Sequence, residues 1–316
     1  MNQQAKIYVA GSRGLVGSAI VRKLKESGYD NIIERSSKEL DLRDPLAVDA
    51  FFSNERPEYV FLAAAKVGGI HANNTYPAEF IYHNLMIETS VIHAAYKYNT
   101  TKLMFLGSSC IYPKHAPQPL KEEYLLTGEL EPTNDAYAIA KIAGIKMCQA
   151  YRRQYGANFI SVMPTNLYGI NDNFDLQNSH VLPALLRKFH EAKINETPTV
   201  TVWGSGKPRR EFLLVDDLAD ACCFLMKHYN DADIINIGTG TDVTITELAA
   251  IIAEVTGYQG EITYDSSKPD GTPVKRLDVS RINALGWKAK TDLQAGIQQT
   301  YDWYCSTIGA ASNNAK

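Results

Sequence analysis

A tyrosine and a lysine four positions apart, Tyr137 and Lys141 in Asp135-Ala136-Tyr137-Ala138-Ile139-Ala140-Lys141, fall on one face of a helix and are neighbours there. A free phenol titrates near about 10 and is a poor acid or base at neutral pH. A nearby ammonium favours the phenolate, so Tyr137 is expected to exchange a proton with a substrate oxygen in the working range. Upstream, the apolar segment 103–107 runs into Ser108-Ser109-Cys110. A hydroxyl at the carboxyl end of a strand, where open α/β sheets bind ligands, is placed to donate to that same oxygen. Ser108, Tyr137 and Lys141 together point to hydride transfer at a carbonyl.

Hydride transfer needs a carrier, and the N-terminus supplies a site for one. Ile7-Tyr8-Val9-Ala10 reads as a strand that turns through Gly11-Ser12-Arg13-Gly14-Leu15-Val16-Gly17 into a helix. Glycine there permits a tight turn and close backbone approach to a pyrophosphate, and the helix N-terminus adds oriented N–H donors. About 20 residues further on, a dinucleotide site carries the group that reads the adenosine ribose. Here Glu34 is followed by Arg35-Ser36-Ser37-Lys38. With Arg13, Arg35 and Lys38 form a cluster able to neutralise a 2′-phosphate, so NADPH is expected over NADH; the competing reading makes Glu34 the ribose ligand and leaves the cations solvated.

These residues must be held by alternating elements. Short apolar runs at 6–10, 31–34, 59–63, 103–107 and 159–163, separated by helical patterns, predict a Rossmann-like doubly wound α/β fold with a parallel sheet. After about Leu167 the texture becomes Gly-, Asn- and Pro-rich. A cofactor-binding domain over 1–167, a smaller C-terminal α/β substrate lobe over 168–316, and segments returning to the first sheet near 211–215 and 234–237 are expected. Residues 310–316 are expected to fray. The 316 residues carry 45% hydrophobic and 21% charged side chains, as a globular protein does, and a net charge of −3 with scattered signs lacks the basic footprint of a nucleic-acid binder. No apolar run approaches the roughly 20 residues of a membrane span, and no export signal is visible. Five cysteines, Cys110, Cys148, Cys222, Cys223 and Cys305, with no Cys-x-x-Cys pair, argue against a disulfide frame or a metal site and fit a reducing cytoplasm.

The glycine turn with Ser108, Tyr137 and Lys141 resembles the extended short-chain dehydrogenase/reductase family. Nearly the whole chain is similar to that family's branch acting on GDP-linked 4-keto-6-deoxy sugars, in Leu106-Gly107-Ser108-Ser109-Cys110-Ile111-Tyr112-Pro113, Ala63-Ala64-Ala65-Lys66-Val67-Gly68-Gly69-Ile70, Pro164-Thr165-Asn166-Leu167-Tyr168-Gly169, Asn178-Ser179-His180, Trp203-Gly204-Ser205-Gly206 and Lys268-Pro269-Asp270-Gly271-Thr272-Pro273. The resemblance implies epimerisation of GDP-4-keto-6-deoxy-D-mannose at carbons 3 and 5, then reduction at carbon 4 with NADPH to GDP-L-fucose. Both epimerised carbons flank the ketone, so one oxyanion site made by Ser108 and Tyr137 suits every step. The resemblance assigns the acid and base of inversion to Cys110 and His180. Cys110 lies two residues past Ser108, and an extended segment there aims both side chains to one side.

The same resemblance places Leu106, Gly107, Lys141, Pro164, Asn166, Leu167 and His180 against the cofactor, and residues 66–70 as a loop over it. It places Lys188, Trp203, Arg210 and Asp270 on the GDP-sugar, with Arg187 and Arg209 as neighbouring cations that the solvent can instead satisfy. It further implies a homodimer through helices around 77–98 and 134–155. Two alternatives remain: another nucleotide-sugar 4-epimerase or dehydratase, against which Cys110 with His180 argues, and a nucleotide-sensing protein without turnover, against which the intact Ser108, Tyr137 and Lys141 argue.

Overall fold

The computed structural model describes residues 1–268 and 270–309. The tail 310–316 and Pro269 of the 268–273 motif lie outside the described residues. The first half alternates as the apolar runs require: β1 (Ile7–Ala10), α1 (Leu15–Glu26), β2 (Ile32–Ile33), α2 (Pro45–Glu55), β3 (Tyr59–Leu62), α3 (Ile70–Thr75), α4 (Pro77–Lys97), β4 (Lys102–Leu106), α5 (Asp135–Tyr155) and β5 (Phe159–Pro164). The rest is built from β6 (Asn166–Tyr168), α6 (Val181–Ile194), β7 (Thr199–Trp203), β8 (Arg209–Arg210), β9 (Phe212–Leu214), α7 (Val215–His228), β10 (Ile235–Ile237), β11 (Val243–Thr244), α8 (Ile245–Thr256), β12 (Glu261–Asp265), β13 (Val274–Lys275), α9 (Ser280–Ala284) and α10 (Leu293–Tyr304).

Six strands form one parallel sheet in the order β10-β5-β4-β3-β1-β2. Alternation along β1 sends Ile7 and Val9 into a core shared with α1 and α7, and Tyr8 and Ala10 into a second core shared with α2, α4 and α5. Helices therefore cover both faces, which is why the strands are apolar throughout. The register aligns Ala10 with Leu62 and Leu62 with Phe105, so the loops after β1, β3 and β4 leave the sheet along one edge. Chain reversal in strand order between β1 and its neighbours opens the crevice at that edge.

One expectation about the sheet is corrected. The segment 234–237 joins it through β10, but β9 pairs with β6 in a separate two-stranded sheet, with Phe212 opposite Asn166. The β6 segment leaves the main sheet immediately after Pro164, the last residue of β5, which has no N–H to extend the ladder, and carries β9 away with it. A third core gathers α6, α8, α10, β7 and β9 around Leu186, Phe189, Leu248, Ile252 and Ile297. Beside it lie the parallel pair β12-β7 and the three-stranded β11-β8-β13. The two-residue strands β8 and β13 run alongside each other with Lys275 opposite Arg210. No helix among the described residues is long and apolar enough to cross a membrane.

Candidate active site

The turn after β1 is shaped by contacts that exclude side chains. Gly11 has φ +84°, and a Cβ there would lie 2.8 Å from the Ala64 backbone nitrogen. A Cβ on Gly17 would lie 2.1 Å from the Gly11 carbonyl oxygen, so α1 packs directly on the turn. Gly14 differs: its nearest such contact is 3.5 Å, and it stands at the N-cap of α1 with no side chain satisfying the first helical N–H groups. The Ser12 hydroxyl is buried without a hydrogen-bond partner. Uncapped amides, an orphaned buried hydroxyl and space where a Cβ would stand make a cradle suited to a pyrophosphate. Leu15 and Val16 begin the helix and pack on the sheet core.

At the end of β2, Glu34 pairs with Lys25 at 3.3 Å, while Arg35 donates to Glu55 at 2.9 Å and lies over the Phe51 ring. Arg13 reaches Glu39 at 3.6 Å, and Glu39 accepts from the Ser36 amide at 2.7 Å. Arg13 and Ser36 thus converge on one exposed carboxylate beside the glycine turn. Lys38 is exposed and makes no hydrogen bond or ion pair among the described residues.

The catalytic candidates meet at the end of β4. Leu106 closes the strand and Gly107 follows it, packed closely on the Met163 thioether, whose sulfur would lie 2.5 Å from a Cβ there. The expectation of an extended segment at 108–110 is overturned. Ser109–Ile111 form a 3-10 turn, with Ser108 at its N-cap accepting from the Cys110 amide at 3.4 Å. Serine is a strong capping residue, and this turn, in place of strand alternation, brings the buried thiol back beside Ser108. Burial pushes the Cys110 thiol up, opposed by the Lys275 charge, by Ser108 and by Lys141.

Tyr137 and Lys141 stand on α5, with the Lys141 ammonium 5.8 Å from the Tyr137 ring centre and 4.7 Å from that of Phe105. Phe80 meets the Tyr137 ring edge-on at 6.2 Å. The lysine's charge has a closer partner than the phenol. Lys141 forms an ion pair with Glu88 of α4 at 2.9 Å, their side chains 2% and 1% exposed. Burial holds the Tyr137 phenol well above its ordinary value, Cys110 and Glu88 raise it further, and the Ser108 hydroxyl lowers it. In the free protein Tyr137 is a protonated donor.

His180 is the N-cap of α6, with no hydrogen bond from its side chain to the helix. The ring is solvent-accessible yet surrounded by protein, and that crowding, with the Lys275 charge, lowers its pKa and keeps the imidazole neutral. Lys275 acts on both Cys110 and His180, so thiol and imidazole share one electrostatic neighbourhood. The segment before His180 is pinned to the 66–70 loop: Gly69 donates to the Asn178 carbonyl at 2.9 Å, and a Cβ on Gly69 would lie 2.6 Å from the Ser179 carbonyl. Asn84 holds the same loop through Lys66. Pro164, Asn166 and Leu167 follow β5 at the same edge, with Asn166 donating to the Glu211 carbonyl at 2.7 Å.

In the second lobe, Trp203 is 50% exposed and flanked by the Lys188 and Lys268 ammonium groups at 4.8 and 5.3 Å from its ring centre. Asp270 is fixed by the Ser205 amide and hydroxyl at 2.7 and 2.8 Å, and Arg210 donates to the Asp270 carbonyl at 3.3 Å. Burial lowers the Arg210 pKa. Lys188, Trp203, Arg210 and Asp270 thus present a cationic and aromatic wall. Arg187 and Arg209 face elsewhere, paired with Glu191 at 2.7 Å and Asp242 at 2.5 Å. Sequence reasoning missed Glu88 and Lys275. Glu88 left a signal, a carboxylate among Phe80, Asn84, Val91, Ile92 and Ala95 at helical core spacing; Lys275, on a two-residue strand, left none. Among the described residues no group of three or more His, Cys, Asp or Glu side chains could hold a metal ion.

Residues 7–238 match the model of the NAD dependent epimerase/dehydratase family. The chain is 61% identical over 308 residues to a putative GDP-L-fucose synthase 2 of Arabidopsis thaliana, covering 98% of this chain and 94% of that one. It is similar to the crystal structure of a GDP-6-OMe-4-keto-L-xylo-heptose reductase from C. jejuni, with TM-score 0.92 and 41% identity over 97% of this chain and 99% of that one. It is similar also to a GDP-L-fucose synthetase from Naegleria fowleri bound to NADP, with TM-score 0.91 and 29% identity over 98% and 96%.

Proposed function

The chain belongs to the NAD dependent epimerase/dehydratase family, and from that premise we propose that it converts GDP-4-keto-6-deoxy-D-mannose to GDP-L-fucose, inverting carbons 3 and 5 and then reducing carbon 4 with NADPH. The observation that carries this reading is the buried Cys110 thiol turned back beside Ser108 and Tyr137, within reach of the same Lys275 charge that His180 feels. Inversion beside a ketone needs a proton acceptor on one face and a donor on the other, and the thiol with the imidazole supplies both. Relatives matching almost the full chain carry the name of the same activity.

The bound dinucleotide supplies a hydride to carbon 4. The α1 N-terminus and the Ser12 hydroxyl hold its pyrophosphate, Arg13, Arg35 and Lys38 attract its 2′-phosphate, and Lys141 with Asn166 and Leu167 borders its nicotinamide end. Ser108 and Tyr137 donate hydrogen bonds to the 4-keto oxygen, which stabilises the enolate formed on losing the proton from carbon 3 or carbon 5. A neutral imidazole and a protonated thiol are one acceptor and one donor, as inversion requires: His180 and Cys110 take the proton from one face and return one to the other. Tyr137, held as a phenol, then gives its proton to the oxygen left by reduction. Lys188 and Arg210 meet the diphosphate, Trp203 walls the sugar pocket, and Asp270 accepts hydrogen bonds from the nucleoside.

The reading includes a cytoplasmic homodimer joined through α4 and α5, supported by Tyr82, Ile139 and Tyr155, which those helices expose. Incubation with NADPH and GDP-4-keto-6-deoxy-D-mannose, followed by product analysis, tests the activity. GDP-L-fucose is expected; consumption of NADPH with D-configured product only, or none at all, overturns it.

A further inference from the structure

We propose that Glu88 is a positioning residue for the reduction: its carboxylate fixes the Lys141 ammonium and counters that charge, so that the Tyr137 phenol keeps its proton until the carbonyl oxygen takes it. The inference rests on the reductase reading above. It concerns a residue on a different helix from the catalytic pair.

The geometry is unusually closed. Glu88 and Lys141 meet at 2.9 Å with almost no exposure, and neither Glu88 oxygen makes a further hydrogen bond among the described residues. The approach of the two helices depends on Gly144, one turn beyond Lys141, where a Cβ would lie 2.9 Å from Glu88 Oε2 and 2.5 Å from Phe105. An ion pair so buried is weak evidence for stability, because desolvating both charges offsets most of their attraction and apolar replacement is often neutral. Placing one beneath the catalytic tyrosine therefore calls for another reason. With Glu88 removed, Lys141 would be a buried ammonium without its counter-charge, free to swing toward Tyr137.

The Glu88 charge raises the proton affinity of the Tyr137 phenol, so its removal lowers the pKa of that phenol. The other titratable groups facing this centre are few. Cys110 lies in the turn after β4, Lys275 on β13 acts through Cys110, and Cys148 on α5 feels Glu88 with its thiol pushed up by burial to about 12. Cys110 and Lys275 remain unchanged when Glu88 is substituted, and Cys148 stays protonated across the assay range.

The test is the pH profile of kcat for NADPH oxidation with the 4-keto nucleotide sugar, in wild type, Glu88→Gln and Glu88→Asp. Glu88→Gln is expected to move the basic limb to lower pH by about one unit or more, with the KM for the nucleotide sugar unchanged. Glu88→Asp, which keeps the charge but retracts it, is expected to hold the wild-type limb while kcat falls. A Glu88→Gln limb that coincides with wild type overturns the proposal, because a merely packed side chain would not move it. If Glu88→Gln does not fold, a Glu88→Asp limb displaced by a full unit overturns it instead. Wild-type protein that oxidises no NADPH sinks the functional reading alone. The pH dependence of NADPH binding, followed by cofactor fluorescence, then decides the role of Glu88: the same acidward displacement supports it, and coincidence refutes it.

Discussion

Gly17 and Gly14 stand three residues apart in one turn, yet alanine should harm them in different ways. At Gly17 the new Cβ would sit 2.1 Å from the Gly11 carbonyl oxygen and 2.5 Å from its carbon, so relief needs about 1 Å of backbone movement. Such overpacking costs about 1–3 kcal/mol, partly offset by the roughly 0.5–1 kcal/mol that alanine contributes in a helix. The net loss of about 1–2 kcal/mol lowers Tm by several degrees. The displaced turn also loses at least one hydrogen bond to a charged phosphate, worth about 1.5–3 kcal/mol, which raises the NADPH Kd about 10- to 150-fold. At Gly14 the nearest contact is 3.5 Å, so Gly14→Ala should leave Tm within about a degree or two and, on the proposed placement of the pyrophosphate over the α1 N-terminus, still weaken NADPH. Thermal melts and fluorescence titration of both variants measure the contrast. Wild-type NADPH affinity in Gly14→Ala, or an unchanged Tm and Kd in Gly17→Ala, refutes this account of the cradle.

Tyr137→Phe should lose about 10²–10⁴ in kcat for reduction while NADPH still binds, since the ring's packing on Phe80 survives and only the proton donor is lost; near-normal absorbance decay would contradict that. Arg35→Ala should lower the ratio of NADPH to NADH turnover by about tenfold or more, and an unchanged ratio would leave Arg35 with its structural contacts to Glu34, Glu55 and Phe51. Asp172 tests the electrostatics of the fold. Burial pushes its carboxyl up to about 7 and one oxygen has no partner. Between an unfolded value near about 4 and the folded value the native state binds the extra proton, so this group's contribution to stability falls as pH rises through that window. Asp172→Asn should therefore raise Tm at pH 8 and change it little at pH 4; equal effects at both would reject the assignment.

Much of this was legible in the sequence because buried parallel strands are apolar throughout and glycine turns advertise close approach. The alternation to β5, the glycine turn and the Tyr137–Lys141 spacing all follow from local pattern. The path of β9 was not legible, since a three-residue strand pairs with β6 through tertiary context alone. The turn at 109–111 was misread because Ser108 caps it in a segment whose composition fits a strand equally well. The partner of Lys141 was missed for a plainer reason. Spacing on α5 shows which side chains neighbour one another along that helix, whereas Glu88 arrives from α4, and only helix packing over Gly144 brings it in.

The central claim is that one carbonyl-polarising site serves both inversion and reduction, and turnover in deuterated water tests it most directly. Wild type with NADPH and the 4-keto sugar should give a product carrying solvent deuterium at carbons 3 and 5, and Cys110→Ser should lose that label while binding NADPH normally. Unlabelled reduced product from wild type, or full labelling by Cys110→Ser, would contradict the account.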